Sequence, residues 1–274
     1  MQNAEVDVVR DFGREWEAFD QRALSDHERR RMFDEYFAVF PWELLSRDAV
    51  GFDAGCGTGR WAVLVAPRVG RLHCADPSSA LDVAKQNLRA LPNCEFHRAV
   101  VDELPFADET MDFGYCLGVL HHVPDTAAGI VACVRKLKRG APFLLYLYYA
   151  FDNQPPWYRT LWRVSNGIRA IVSRMPFGLK YVISQAFALA VYYPLARGAR
   201  LAEKMGIVVH SFPLSAYRDR SLYSMRTDAL DRFGTRLEKR FTAAQISEMM
   251  AAAGLRDIRF SNRVPFWCAV GVKA

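Results

Sequence analysis

Between residues 46 and 150, short apolar runs alternate with longer stretches of mixed apolar and polar positions. The runs Ala49–Asp53, Arg71–Ala75, Glu95–Val100, Phe113–Leu117 and Pro142–Tyr149 have the length of buried strands. Between them Trp61–Ala66, Ala80–Arg89 and Thr126–Lys138 read as helices, the last capped by Asp125. Strand and helix in strict alternation imply right-handed crossovers and a parallel sheet. Near the end Thr242 opens a helix that Gly254 stops, and Arg256–Phe260 and Phe266–Lys273 read as two closing strands. The predicted fold is therefore α/β, a doubly wound, mostly parallel seven-stranded sheet. Ahead of it lie two helices: residues 3–22, then a capping box at Ser25-Asp26-His27-Glu28 that opens a helix to about Phe40, before Pro41.

Residues 151–240 interrupt this alternation, where a parallel sheet needs only a short connection. From Trp157, apolar residues recur at Leu161, Val164, Ile168, Ile171, Val172 and Met175 on one arc of a helix, with Arg159, Arg163, Arg169 and Arg174 on the other side. Pro176 ends this helix. Tyr181–Ala196 is 16 residues without charge, too short and too interrupted by Pro194 to span a bilayer. The expected arrangement is a helical cap whose apolar faces pack inward and whose arginines meet water. Peripheral contact with an anionic membrane through 157–205 and a dimer interface are the alternatives, and the oligomeric state stays open. The polar and aromatic stretch around Tyr217 and Arg218 reads either as a solvated loop held by its own ion pairs or as a segment that closes over substrate.

The candidate chemistry is centred on Asp53-Ala-Gly55-Cys56-Gly57-Thr-Gly59. Three alternate glycines after a strand make a turn that lets a ligand lie against the backbone. A dinucleotide fingerprint would need glycine at position 60, which is Arg60. Asp76 ends the second strand 17 residues past Gly59, near the distance at which an acid accepts ribose hydroxyls.

This D-x-G-x-G-x-G stretch resembles motif I of the class I S-adenosylmethionine (SAM) methyltransferases, and Gly118-Val-Leu-His121-His122-Val-Pro-Asp125 resembles the post-strand-four motif of the ubiquinone/menaquinone-biosynthesis branch. The resemblance covers about 45–150 and resumes near Phe241. It implies a Rossmann-like domain made of 46–150 and 241–274, cofactor-covering helices in 1–45, and a cap inserted at 151–240. It also implies SAM as cofactor, with S-adenosylhomocysteine as product. Asp53, Gly55, Cys56, Gly57 and Gly59 would hold its aminocarboxylate end, and Asp76 with Pro77 its ribose. Val100, Val101, Asp102 and Leu117 would edge the adenine pocket, and Phe12 and Trp16 would cover it. His121 or His122, at the open edge of the sheet, is the candidate general base; Tyr148, Tyr149, Asp152, Tyr217 and Arg218 are candidate acceptor contacts. Some quinone O-methyltransferases carry a metal-binding glutamate at the position of His121, so no metal is expected here. The implied activity is methyl transfer to an oxygen or nitrogen of a small, apolar or lipid-like metabolite. Carbon methylation of a quinone-type precursor and SAM binding without catalysis are the alternatives.

Composition narrows this further. With 51% apolar residues in 274, a large core is available. The net charge of +6 sits in one place: residues 155–210 carry eight basic groups and one acid, which points to a local role rather than general nucleic-acid affinity. No Asn/Asp-Pro-Pro-Tyr base-flipping motif follows the fourth strand. Six scattered cysteines without a C-x-x-C pair read as reduced thiols, and the start lacks a secretion signal; the expected location is cytoplasmic, or peripheral to a membrane.

Overall fold

The computed structural model describes residues 6–274, so the first five residues of the N-terminal segment lie outside the described residues. Seven strands form one sheet: β1 (Val50–Ala54), β2 (Arg71–Ala75), β3 (Cys94–His97), β4 (Phe113–Leu117), β5 (Pro142–Tyr146), β6 (Leu255–Phe260) and β7 (Cys268–Lys273). Their order is β3-β2-β1-β4-β5-β7-β6, parallel through β5 and antiparallel at β7. The core strands β1, β2, β4 and β5 are buried almost throughout, as their continuous apolar runs require of a sheet covered on both faces. Phe52, Cys116, Leu120, Ile130, Phe143 and Leu145 lie in one cluster at its heart.

Helices α1 (Val6–Ala18), α2 (Asp26–Tyr36), α3 (Ala62–Val65), α4 (Ala80–Asn87), α5 (Thr126–Lys136) and α10 (Ala243–Ala252) accompany these strands. Asp125 caps α5 by accepting from the Ala128 N–H, and Thr242 and Gln245 form a full capping box on α10. The helix expected after the glycines is only one turn of α-helix followed by a 3-10 turn at Ala66–Arg68. Pro67 explains the difference, because it cannot donate to an α ladder. The third and fifth strands stop at His97 and Tyr146, short of the expected Val100 and Tyr149. Beyond β5 the chain still makes a parallel bridge, Tyr149 to Phe241.

The chain divides into two compact units. One holds the segments up to Arg22, Arg29–Ala150 and Leu237–Ala274; the other holds Ala23–Glu28 and Phe151–Arg236. In the second unit α6 (Pro156–Val172), α7 (Phe177–Phe187) and α8 (Tyr193–Lys204) accompany α9 (Leu222–Gly234). A π-helical turn, Ala188–Tyr192, joins α7 to α8 and places Pro194 in the first turn of α8, where a missing N–H costs little. Val172, Ala188, Tyr192, Ala196, Met225, Ala229 and Phe233 make its core.

Both ends of α9 are closed by charge. At its start Ser221 accepts from the Ser224 N–H, and the buried Glu28 carboxylate accepts from the Ser221 N–H (2.9 Å) and the Ser224 hydroxyl (2.7 Å). This is half of the expected capping box: the Ser25 hydroxyl accepts from the Glu28 N–H, while the Glu28 side chain turns to α9. At the far end Arg169 donates to the carbonyls of Thr235 (2.8 Å) and Arg236 (3.0 Å), and Lys180 to that of Gly234 (3.1 Å). An acid at the amino end and cations at the carboxyl end complement the helix dipole.

That capping turns α6 over. The sequence places its apolar arc inward and Arg169 outward, but Arg169 is 8% exposed while Trp157, Val164 and Ile171 are 51%, 62% and 65% exposed. The face that packs is Tyr158, Trp162, Ser165, Asn166, Arg169, Val172 and Ser173, all buried or half-buried. Among the described residues no helix is long and apolar enough to cross a membrane.

Candidate active site

Strand order reverses between β1 and β4, the place where an open α/β sheet leaves a crevice at its carboxyl edge. β1 delivers Asp53 and the glycine turn there. Gly55, Gly57 and Gly59 all adopt positive φ (+79°, +52° and +77°). The turn is tied to the end of β2: the N–H groups of Gly55 and Cys56 both donate to Ala75 O (2.8 and 3.0 Å), and Gly59 N–H donates to Cys56 O (2.8 Å). Gly57 N–H donates to Asp76 Oδ2 (2.9 Å), and Asp76 Oδ1 accepts from Ser78 N–H (2.8 Å) and Ser78 Oγ (2.6 Å). In this structure Asp76 thus braces the turn through Oδ2 and the following Ser78 through Oδ1, and the N–H groups of Gly55, Cys56, Gly57 and Gly59 all donate within the protein.

Asp53 lies behind the turn, 1% exposed, with Oδ2 buried and without a hydrogen-bond partner. Burial pushes its carboxyl well above the usual carboxylate range; the Tyr115 hydroxyl opposes this in part, and Asp76 adds to it. From α1, Trp16 lies over Gly57 and under the Arg60 guanidinium, 5.1 Å from its ring centre. Gly13 lets α1 pack against Ser79, whose hydroxyl donates to Glu17 (2.6 Å). Cys56, Val100, Val101 and Leu117 are buried, while Pro77 and Asp102 are half-buried.

Past β4 a 3-10 turn, Leu120–His122, carries the histidine pair. Both rings are buried, with centroids 4.0 Å apart. His121 stacks on Tyr148 (3.8 Å), and neither of its ring nitrogens has a hydrogen-bond partner. Burial first, then His122 and Arg240, hold its imidazole well below the ordinary value, so it is neutral at pH 7. His122 Nδ1 lies 2.7 Å from the Leu237 carbonyl, which can only accept. Nδ1 therefore carries the proton and Nε2 the basic lone pair. Phe12 packs on His122 (4.9 Å) and Tyr148 meets it edge-on (5.5 Å).

Several contributors to this site carry no signal in the sequence pattern. Leu237–Phe241 runs beside the end of β5: Lys239 N–H donates to His121 O (3.0 Å), and Phe241 N–H to Tyr148 O (2.9 Å). Arg240 pairs with the buried Glu238 (2.9 Å), donates to Tyr149 O (3.3 Å) and covers the Tyr148 ring at 5.1 Å. Tyr36 joins Trp61 (4.7 Å) and Tyr146 (5.0 Å) in the same aromatic wall. Of the remaining candidates, Tyr149 packs on Phe266 (5.5 Å). Asp152, Tyr217 and Arg218 belong to the second unit, where Asp152 is exposed, Tyr217 packs on Tyr192 (5.4 Å) and Arg218 pairs with Glu203 (2.8 Å).

Residues 52–145 match the family model described as a methyltransferase domain. This stretch of the chain is similar to a methyltransferase domain. Its matched stretch begins inside β1 and ends inside β5, so it holds the glycine turn, Asp76 and the histidine pair. The ubiquinone biosynthesis O-methyltransferase of Hahella chejuensis is 34% identical over 107 residues, 38% of this chain and 43% of that protein. Its counterpart from Alkalilimnicola ehrlichii is 37% identical over 91 residues, 32% of this chain and 37% of that protein. The chain thus aligns with less than half the length of either relative, and the likeness lies in the methyltransferase domain. The structure of the S-adenosylmethionine-dependent methyltransferase SibL superposes with a TM-score of 0.52 at 13% identity, over 90% of this chain and 56% of its own, a likeness of fold. The residues of the matched stretch fit SAM on two observations. A buried carboxylate oxygen awaits a donor, and the turn after it leaves room at Gly57, where a Cβ would have its nearest neighbour, Trp16 Nε1, at 3.6 Å.

Proposed function

We propose that the chain transfers the methyl group of SAM to an oxygen or nitrogen atom of a small, apolar or aromatic metabolite. The observation that carries this reading is the unpartnered Asp53 oxygen behind three left-handed glycines, inside the stretch that matches a methyltransferase domain. Asp53 would meet the cofactor's ammonium, which offsets the burial cost of its charge. Asp76 and Pro77 would face the ribose, Val100–Asp102 and Leu117 the adenine, and Phe12 and Trp16 would cover them. The bound sulfonium supplies an activated methyl group and a neutral leaving sulfur.

The chain's own part is positioning, exclusion of water and removal of one proton. His122 takes the acceptor's proton at Nε2, its tautomer fixed by the Leu237 carbonyl. Phe12 and Tyr148, both half-buried beside His122, give the acceptor an aromatic surface to lie on, and the buried His121 backs the Tyr148 ring. The O-methyltransferase names of the two relatives support an oxygen acceptor. Incubation with methyl-labelled SAM and a metabolite extract tests the reading: label should appear in small molecules, and label found only in protein or nucleic acid would refute it. Calorimetry with S-adenosylhomocysteine tests the cofactor site separately.

A further inference from the structure

The outer surface of the second unit is unusual for a chain in water. Trp157, Leu161, Val164, Ile168 and Ile171 are all at least 40% exposed. They are spaced four, three, four and three residues apart, a single stripe along α6. The helices α7 and α8 and the π turn between them continue the theme with Leu179, Val182, Leu189, Tyr193 and Leu195, again all above 40%. No charged residue interrupts Tyr181–Ala196. Soluble monomers do not leave extended apolar faces like this without a use for them.

We infer that this face docks on an anionic lipid bilayer, lying in the headgroup region rather than crossing it. Charge decides the occupant. Arg159 and Arg163 are exposed along another side of α6, Arg174 is exposed just past its end, and Lys204 is exposed on α8 with Arg200, which pairs with Asp219 at 3.6 Å. An apolar stripe beside exposed arginines, with a tryptophan near its amino end, is the form of a helix that inserts its apolar face and reaches back to phosphates with its cations. A second copy of the chain fits worse, because an isologous contact would bring the same arginines together across the interface. The inward turn of Arg169 and Lys180 is consistent with this: the two cations that cap α9 come from the packing faces and not from the outward apolar stripe.

The inference is independent of methyl transfer, since its readout is partition onto membranes. Co-sedimentation of the full chain with vesicles of phosphatidylcholine alone, and of phosphatidylcholine mixed with phosphatidylserine, tests it. Binding should favour the mixed vesicles and fall as salt is raised. Arg163→Gln should weaken it about five-fold, the value of one basic side chain near such a surface. Val164→Asp and Leu189→Asp should each weaken it on the order of ten-fold or more, since both are exposed apolar positions. Val131→Asp, at a 47% exposed position on α5, should leave it unchanged. Circular dichroism melts check that each variant folds, and the salt dependence of the unaltered chain stands if one does not. Equal binding by Val164→Asp, an equal loss in Val131→Asp, or a dimer that Val164→Asp disperses without any vesicle binding would each overturn the inference.

Discussion

Gly55 and Gly57 share a left-handed backbone but differ in what surrounds them, and this separates two reasons for being glycine. A Cβ built on Gly57 would have its nearest neighbour, Trp16 Nε1, at 3.6 Å, which is ordinary contact; only φ of +52° resists a side chain. Gly57→Ala should therefore cost about 1–2 kcal/mol, the left-handed penalty alone. At Gly55 the φ of +79° is joined by a Cβ only 2.3 Å from Val119 Cγ2 and 2.8 Å from Cγ1. Overpacking adds about 1–3 kcal/mol, so Gly55→Ala should cost about 2–5 kcal/mol in all. Urea denaturation of both variants reads the difference. Adding Val119→Ala should restore much of the overpacking part to the Gly55 variant, though Val119 Cβ stays at 3.0 Å, and nothing to the Gly57 variant, a coupling that a double-mutant cycle isolates. Equal costs for the two alanines, or no rescue by Val119→Ala, would refute the assignment of Gly55 to packing. Calorimetry with S-adenosylhomocysteine on the same proteins then shows how far each glycine also serves binding: Gly57, with room around it, should lose affinity out of proportion to its stability cost.

Three further expectations follow from the same structure. Arg169→Met should destabilise by about 2–3 kcal/mol, because charged hydrogen bonds to two α9-terminal carbonyls are lost; Arg169→Lys should recover part, and an Arg169→Met variant as stable as the parent in urea would mean the carbonyls find other donors. His122→Ala should lower kcat by about 10²–10⁴-fold with KM little changed, whereas His121→Asn should keep most of kcat; equal losses in the two variants would refute the assignment of the base to His122. The buried imidazoles also set a sign for acid stability. His121 is held well below its ordinary value by burial, and His73 and His97 are lowered by burial too. Below about pH 6.5 the unfolded chain takes up protons that these folded rings refuse, so stability should fall as pH drops through that region, by up to about 1.4 kcal/mol per pH unit for the buried His121 and by less for His73 and His97, where solvent and Glu95 oppose the effect. His121→Asn should flatten the decline in denaturation midpoints; an unchanged slope would show that His121 does not carry it.

What the sequence revealed and what it hid follow a physical division. The glycine turn, the Asp125 cap and the helix start at Thr242 depend on residues within a few positions of one another, and Asp76 stands at a characteristic chain distance past the turn, so the sequence pattern was enough to find them. The turn of α6 was not legible. Periodicity defines an apolar arc without saying which arc meets water, and the deciding contacts join Arg169 to carbonyls 66 and 67 residues away. The strand-like run Leu237–Phe241 was hidden for a related reason: it holds its place by backbone bonds to His121 and Tyr148, which leave no mark on side-chain spacing. Pro194 misled in the other direction. It reads as an interruption, yet the π turn before it lets the helix resume with the proline in an early position.

Glu28 carries a consequence for how the insertion can be handled. Its carboxylate completes the amino end of α9 from a point 193 residues upstream, so the bundle is not one continuous piece of chain. A fragment cut at Phe151 and Arg236 would be born with that helix end bare, and a deletion of the same stretch would strand a shielded acid with nothing to receive. During synthesis the early segment must also wait for nearly the whole polypeptide to emerge before that tie can close.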